Sequence, residues 1–136
     1  MIYLVDVNVL CEPTKRCPHE SVQRWLDRHE AEIAVDPIIM GEIWHGILRL
    51  PAGNRKERLR VWFQALQSHM PCLEWTLDMA VIWAEICDHV QSSGFTLTVP
   101  DTMIAATAKR HGLIVATRNV SDFTRCGVPV VNPFEA

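Results

Sequence analysis

The 136-residue sequence lacks the features that mark several large classes of protein. It contains no apolar run close to the roughly 20 residues of a membrane-spanning helix. Its opening apolar run, residues 1–5, is too short for a secretory signal peptide and has no basic leader. We therefore expect no membrane association. The five cysteines form no Cys-x-x-Cys pair, which argues against a zinc knuckle or a disulfide framework and favours a reducing, cytoplasmic setting.

Several catalytic motifs are also absent. There is no Gly-rich phosphate loop, no dinucleotide fingerprint and no Gly-x-Ser-x-Gly nucleophile turn. The segment Glu42-Ile-Trp-His45 has the Glu-x-x-His spacing of di-iron bundles, but it occurs once where such sites need two copies. The formal net charge of −3 gives no global attraction to nucleic acid. The basic run 55–60 is more typical of a solvated helix face, although it could contact a phosphate backbone.

Strand and helix patterns alternate along the chain. The length fits one domain, residues 1–136, and 49% hydrophobic content suits a soluble globular protein. The predicted strands are residues 1–5, 33–35, 113–117 and 128–131, with a weaker candidate at 72–75. The predicted helices are residues 21–30, 37–50, 54–67, 77–93 and 100–111, followed by a short turn or helix at 121–123. This order predicts an α/β fold, a mostly parallel sheet of about five strands with helices on both faces.

Polar side chains follow two of the predicted strands. Asp6 and Asn8 come after residues 1–5, and Arg118, Asn119 and Asp122 follow residues 113–117. Functional groups of parallel α/β sheets collect beyond the carboxyl ends of the strands. A cluster of acids repels itself unless a positive ion lies within it, and Mg²⁺ or Mn²⁺ suits oxygen ligands. The pattern predicts a metal-dependent phosphoryl-transfer enzyme.

Each acid also has a structural interpretation. Asp6 directly follows five apolar residues, which favours a functional role over a turn. Asp101 opens a predicted helix and is equally explained as a helix cap. Glu42, among apolar neighbours, is either a helix-edge residue or a group directed into a site. Asn119 and Asp122 would each cap the next turn equally well. The functional interpretation depends on their recurrence at one edge of the sheet.

The sequence resembles PIN-domain ribonucleases, and specifically the VapC-type toxins of bacterial toxin–antitoxin pairs. The resemblance covers essentially the whole chain, in the family's order. It is carried by residues 4–10 (LVDVNVL), 37–46 (PIIMGEIWHG), 49–53 (RLPAG), 100–108 (PDTMIAATA), and 117–123 (TRNVSDF) with 131–134 (VNPF).

The resemblance implies a ligand set for the metal. Asp6, Glu42 and Asp101 match the family's core metal-binding acids. The fourth polar position falls at Asn119, Asp122 or both, and Asp122 is favoured because it supplies negative charge. Asn8 would orient Asp6 or a metal-bound water.

The chain departs from the family pattern at two further positions. Val7 stands where the family commonly has a hydroxyl residue, which would reduce activity without removing a ligand. Asp36 stands where a small hydroxyl residue is frequent, and the following Pro37 identifies it as a helix N-cap.

The implied function is metal-assisted cleavage of RNA that leaves 5′-phosphate and 3′-hydroxyl ends. Arg118 or Lys109 would contact a phosphate, an antitoxin would cover the acidic crevice, and the chain would form a homodimer. Apolar helix surface at Trp44, Trp62 and Trp83 is compatible with the dimer. The alternative is a catalytically weak PIN-like binding module, which Val7 and Asn119 favour. A phosphorelay receiver would need an acid pair near the first strand and an Asp ending a middle strand, and neither is clear.

Overall fold

The centre of the molecule is a parallel sheet. The computed structural model describes residues 1–136. Four strands lie in the order β2-β1-β3-β4, and they are β1 (Tyr3–Val5), β2 (Ile33–Ala34), β3 (Ile114–Ala116) and β4 (Val130–Val131). Every neighbouring pair is parallel. All strands therefore end at the same side of the sheet, the carboxyl edge.

Seven helices flank this sheet, so the predicted α/β architecture is confirmed. They are α1 (Val7–Leu10), α2 (Glu20–Arg28), α3 (Pro37–Leu48), α4 (Asn54–His69), α5 (Leu77–Ser92), α6 (Val99–His111) and α7 (Val120–Arg125). The short helix α1 was not predicted, because its four residues are too few to show a helical period. None of the helices combines the length and the apolar character needed to cross a membrane.

The prediction of about five strands is wrong by one. The segment after α4 makes only an isolated bridge, between Cys72 and Val35. Its ladder consists of two hydrogen bonds, from Val35 N to Pro71 O at 2.9 Å and from Leu73 N to Val35 O at 2.8 Å. The bridge cannot extend, because the chain beyond Val35 enters α3 and leaves no extended backbone to pair with.

Helix α6 contributes more buried residues than any other helix and runs from the carboxyl edge to the opposite edge of the sheet. Residues 104–108 along it are all buried, and three of them are alanines, which let the neighbouring elements approach closely. The helix ends at Gly112, whose φ of +66° and ψ of 36° place it in the left-handed region that favours glycine. The next residues enter β3 directly.

The tryptophans pack mainly against the core of the same chain. Trp25 is buried, and Trp44, Trp62 and Trp83 are half-buried side chains packed against the main hydrophobic core. The Trp83 indole also donates a 3.0 Å hydrogen bond to Thr102 Oγ1. The apolar helix surface that was associated with a dimer is therefore largely used within the chain.

Candidate active site

Asp6 occupies the end of the central strand β1. The register pairs Val5 with Ala116, so Asp6 lies beside Thr117 at the carboxyl edge. Asp6 Oδ1 accepts a 2.8 Å hydrogen bond from Val7 N, and Oδ2 accepts a 2.7 Å bond from Thr117 Oγ1. Only 5% of the Asp6 surface is exposed. The carboxylate is therefore held in one orientation before any ligand binds.

Asn8 joins the two loops that follow β1 and β3. Its Nδ2 donates to Asp6 Oδ2 at 3.2 Å and to Thr117 Oγ1 at 3.2 Å. Its Oδ1 accepts from Arg118 N at 3.0 Å. The structure thus places Asn8 in direct contact with Asp6, which suits the first of the two roles that the resemblance implies for it.

Thr117 is the residue that sequence reasoning missed. It is fully buried, and its hydroxyl also accepts from Asn119 N at 3.0 Å. The sequence does contain a hint of this role. Thr117 is the last residue of the predicted strand 113–117, which is parallel to the strand that Asp6 follows. A small hydroxyl side chain there is placed beside the carboxylate by the register alone.

Asp101 is free to act in the site because another residue caps its helix. The N-cap of α6 is Thr98, whose Oγ1 accepts from Asp101 N at 3.4 Å. Asp101 lies in the first turn of α6, and its Oδ2 accepts from Asn119 Nδ2 at 3.2 Å. The two interpretations of Asp101 are therefore separated: the cap is Thr98, and Asp101 is a half-buried carboxylate at the carboxyl edge.

Asp122 and Asn119 both lie near Asp101, in different ways. Asn119 contacts Asp101 directly, whereas Asp122 lies in the first turn of α7, where its Oδ1 is 3.5 Å from Arg125 Nη1. Burial and the Asp6 charge raise the pKa of Asp101, and the charge of Asp122 adds to the rise. Both candidates for the fourth polar position, Asn119 and Asp122, therefore lie near Asp101.

Glu42 reaches the same cluster from α3. Asp36 precedes the first residue of that helix and its Oδ1 accepts from Ile39 N at 2.8 Å, so the predicted N-cap is confirmed. The other Asp36 oxygen accepts a 2.6 Å hydrogen bond from Thr107 Oγ1 on α6, and Asp36 is completely buried. Glu42 follows in the second turn of α3 and remains accessible to solvent.

The three acids that meet at the carboxyl edge, Asp6, Glu42 and Asp101, all have raised pKa values. Partial burial, and then the charges of Asp6, Asp101 and Asp36, raise the pKa of Glu42 to about 6. Burial and the neighbouring Asp6 charge also raise the pKa of Asp101. Burial raises the pKa of Asp6 as well, although its three hydrogen bonds oppose the shift. A positive ion at this edge would relieve the repulsion.

The donor set suits a hard divalent cation. All of its ligating atoms are carboxylate or amide oxygens, as Mg²⁺ and Mn²⁺ prefer. No three acidic, histidine or cysteine side chains converge closely enough to hold a metal ion among them. Mg²⁺ keeps several of its waters and usually binds only one or two carboxylates directly. The wide spacing of these acids is therefore compatible with a hydrated Mg²⁺ ion.

The two basic residues predicted to contact phosphate, Arg118 and Lys109, lie at opposite edges of the sheet. Arg118 follows β3 at the carboxyl edge, and its guanidinium carbon lies 3.9 Å from the centre of the Phe134 ring. Lys109 lies in the last turn of α6, about 12 Å along the helix from Asp101 at 1.5 Å per residue. Helix α6 carries Lys109, and Arg110 next to it, to the opposite edge of the sheet, so Lys109 does not lie beside the acids as a phosphate contact there would require. There Arg110 pairs with Asp78 at 3.6 Å.

The comparison with known families agrees with this geometry. The family described as "PIN domain" matches residues 3–127, and the chain belongs to the PIN-domain family. Among characterised relatives, it is 34% identical over 137 residues to "Toxin FitB" of Neisseria gonorrhoeae, covering 96% of this chain and 97% of that protein. It is 31% identical to "VapC ribonuclease Y4jK" of Sinorhizobium fredii, covering 97% of each.

Solved structures extend the similarity to three dimensions. The crystal structure of FitAcB from Neisseria gonorrhoeae matches with a TM-score of 0.88 and 31% identity, covering 99% of this chain and 100% of that one. A toxin–antitoxin complex from Klebsiella pneumoniae matches with a TM-score of 0.71 and 25% identity, covering 98% of each chain. The resemblance to PIN-domain toxins of the VapC type is therefore confirmed.

Proposed function

We propose that this protein is a metal-dependent endoribonuclease that acts as a toxin and is neutralised by a cognate antitoxin. The observation that carries the proposal is the cluster of Asp6, Glu42 and Asp101 at the carboxyl edge, with Asp122 beside it. Partial burial, and then the charges of Asp6, Asp101 and Asp36, raise the pKa of Glu42 to about 6, which supports a site where these carboxylates interact. The ribonuclease name of a relative that matches over 97% of the chain supports RNA as the substrate.

Asp6, Glu42, Asp101 and Asp122 would hold Mg²⁺, or Mn²⁺ in its place. The bound metal would supply an activated water for attack on a phosphodiester and would stabilise charge on the leaving oxygen. The protein's own contribution is orientation. Thr117 and Asn8 hold the Asp6 carboxylate, and Asn119 holds one oxygen of Asp101. Such contacts behind the ligands commonly change metal affinity or activity 10- to 100-fold.

The Val7 substitution is compatible with activity. Val7 contributes a backbone N–H to Asp6 Oδ1, and this contact needs no side-chain hydroxyl. The opposite carboxylate oxygen already receives the Thr117 hydroxyl. Asp6 therefore keeps a hydroxyl donor, which weakens the case for a catalytically weak PIN-like binding module.

An antitoxin and a second copy of the chain are the proposed partners. The antitoxin is supported by the similarity to a chain of a toxin–antitoxin complex. For the homodimer, the best candidate surface is on α5, where Leu77 and Val81 are 80% and 52% exposed and lie one turn apart. Light scattering of Leu77→Lys, Val81→Lys would then report a monomer. RNA as the substrate, with five free cysteines, suits a cytoplasmic enzyme.

RNA cleavage by the purified, antitoxin-free protein tests the enzymatic proposal. We expect cleavage with Mg²⁺ or Mn²⁺ and none with chelator. The double variant Asp6→Asn, Asp101→Asn should be inactive. A matched control is Asp27→Asn, Asp88→Asn, which changes the charge equally at exposed positions on α2 and α5.

Three results would contradict the proposal in different ways. Cleavage that persists in the double variant would indicate a contaminating nuclease and remove the assignment of these acids. Cleavage unaffected by chelator would exclude the metal. Metal binding without cleavage of transfer, ribosomal or messenger RNA would favour the binding-module alternative.

A further inference from the structure

A groove runs from the acidic cluster along helix α4. A cavity of about 240 Å³ has Glu42 in its wall together with Ile43, Gly46 and Ile47 of α3. A second cavity of about 370 Å³ continues over the surface of α4. Both cavities are lined by Thr14, Lys15, Arg55, Leu59 and Trp62. Because they share five residues, they form one groove, which we call the α4 groove.

The wall of the α4 groove is basic, in contrast to the acids at its end. Arg55 and Arg58 are exposed, and neither guanidinium forms an ion pair or a hydrogen bond within the chain. Other cations on this part of the surface have partners. Lys15 lies 2.8 Å from Glu12 Oε2, and Arg60 lies 2.6 Å from Glu57 Oε1. Two positive charges are therefore available to a ligand in the groove.

The spacing of α4 explains why these side chains share one wall. Arg55 and Leu59, and likewise Arg58 and Trp62, are four residues apart, so each pair lies one above the other on a helix. Leu59 and the half-buried Trp62 form the apolar floor, and the arginines stand beside it. A basic wall next to an aromatic surface is the arrangement with which proteins bind single-stranded nucleic acid, through phosphate contacts and base stacking.

We propose that the α4 groove holds a single-stranded stretch of the RNA substrate beside the scissile phosphate. Arg55 and Arg58 contact backbone phosphates, and Trp62 offers a surface for a base. The inference rests on the proposed ribonuclease function and adds to it the path of the strand. It also explains how a chain with net charge −3 binds a polyanion, since the positive charge is local.

The test measures RNA binding separately from cleavage. All proteins carry Asp101→Asn, which we expect to be inactive, and a fluorescent single-stranded RNA of mixed sequence is titrated in Mg²⁺ at several salt concentrations. Arg55→Gln, Arg58→Gln should raise Kd roughly 10-fold. The slope of log Kd against log salt should fall by about 1.4, because each single-strand phosphate contact contributes about 0.7. With Asp101 intact, the same substitutions should raise KM more than they lower kcat.

The matched control is Arg24→Gln, Arg28→Gln. It removes the same charge from exposed positions on α2, outside the groove, and should leave Kd and its salt slope close to those of the parent. Equal changes in both double variants would mean a general charge effect and would overturn the proposal.

Three other outcomes would also overturn it. Unchanged RNA binding combined with weaker binding of the antitoxin would assign the α4 groove to the protein partner. If the wild-type protein neither cleaves nor binds RNA, both the ribonuclease function and the groove assignment fail. Normal cleavage by wild type with no effect of Arg55→Gln, Arg58→Gln contradicts the groove alone.

Discussion

Thr117 Oγ1 donates a 2.7 Å hydrogen bond to Asp6 Oδ2 and so connects residues 111 positions apart in the chain. The bond forms because β1 and β3 are adjacent parallel strands that end at the same level. It fixes the carboxylate that begins the proposed metal site. Thr117 acts through Asp6, so it is a positioning residue.

Substitution of Thr117 by valine tests this role. Valine keeps the shape but removes the hydroxyl, and we expect Mg²⁺ affinity and kcat to fall about 10- to 100-fold. Thr117→Ser retains the hydroxyl and should recover most of both. Isothermal titration with Mg²⁺ gives a readout independent of RNA.

Thr107→Val is the matched control for Thr117→Val. Thr107 is equally buried and donates a 2.6 Å bond to a different carboxylate, that of Asp36. It should lower stability by about 1–3 kcal/mol and leave Mg²⁺ affinity nearly unchanged. Equal losses of Mg²⁺ affinity in the two variants would show a general packing effect.

Asn119→Asp tests whether residue 119 lies close enough to the proposed metal ion to act as the fourth polar residue of the site. Without metal the variant loses the amide that donates to Asp101 and gains a like charge there, so Tm in chelator should fall. With Mg²⁺ the added carboxylate should increase the metal-induced rise in Tm. Gln23→Glu on the exposed face of α2 adds the same charge and should change neither value. A metal-induced rise equal to that of wild type would place Asn119 outside the metal's reach.

The raised pKa of Glu42 predicts a pH dependence of stability in the metal-free protein. A carboxyl with a higher pKa in the folded state binds its proton more tightly when folded. Its contribution to stability is therefore largest below the unfolded value of 4.5 and is lost as pH rises to about 6. Glu42→Gln should remove this contribution, so the difference in Tm between the two proteins in chelator should vary across this range.

Saturating Mg²⁺ should reverse the trend for the wild-type protein. Metal binding requires ionised carboxylates, so the Mg²⁺-induced gain in stability should grow as pH rises through the same range. A wild-type protein and a Glu42→Gln variant with parallel pH profiles in chelator would contradict the electrostatic account of Glu42.

Asp36 is expected to support the fold rather than the chemistry. Asp36→Ala removes the N-cap of α3 and the 2.6 Å acceptor of the Thr107 hydroxyl, which keeps only a longer 3.4 Å contact with Met103 O. The expected loss of unfolding free energy is about 2–4 kcal/mol, from roughly 1 for the cap and the rest for the buried hydroxyl. Asp36→Asn keeps an acceptor oxygen and should lose less. Urea unfolding in chelator measures both, and an equal loss in the two variants would contradict the cap.

Local chemistry accounts for the parts of the structure that sequence reasoning predicted well. Asp36 followed by Pro37 starts α3, and Gly112 ends α6, because capping and left-handed backbone depend on residues within one turn. The strands β1 and β3 were also predicted correctly, because a run of consecutive apolar residues is likewise a local feature of the sequence. The positions of Asp6, Glu42 and Asp101 also came from the sequence, since each lies in a segment that resembles the family.

Tertiary packing decided what depends on residues far apart in the chain. The partnership of Thr117 and Asp6 follows from strand order, and the absence of a fifth strand follows from the direction the chain takes after Val35. Lys109 lies away from the acids because α6 crosses the molecule. The α4 groove exists only where α3, α4 and the loop bearing Lys15 meet. Such relationships arise from the arrangement of whole elements, so no local pattern could encode them.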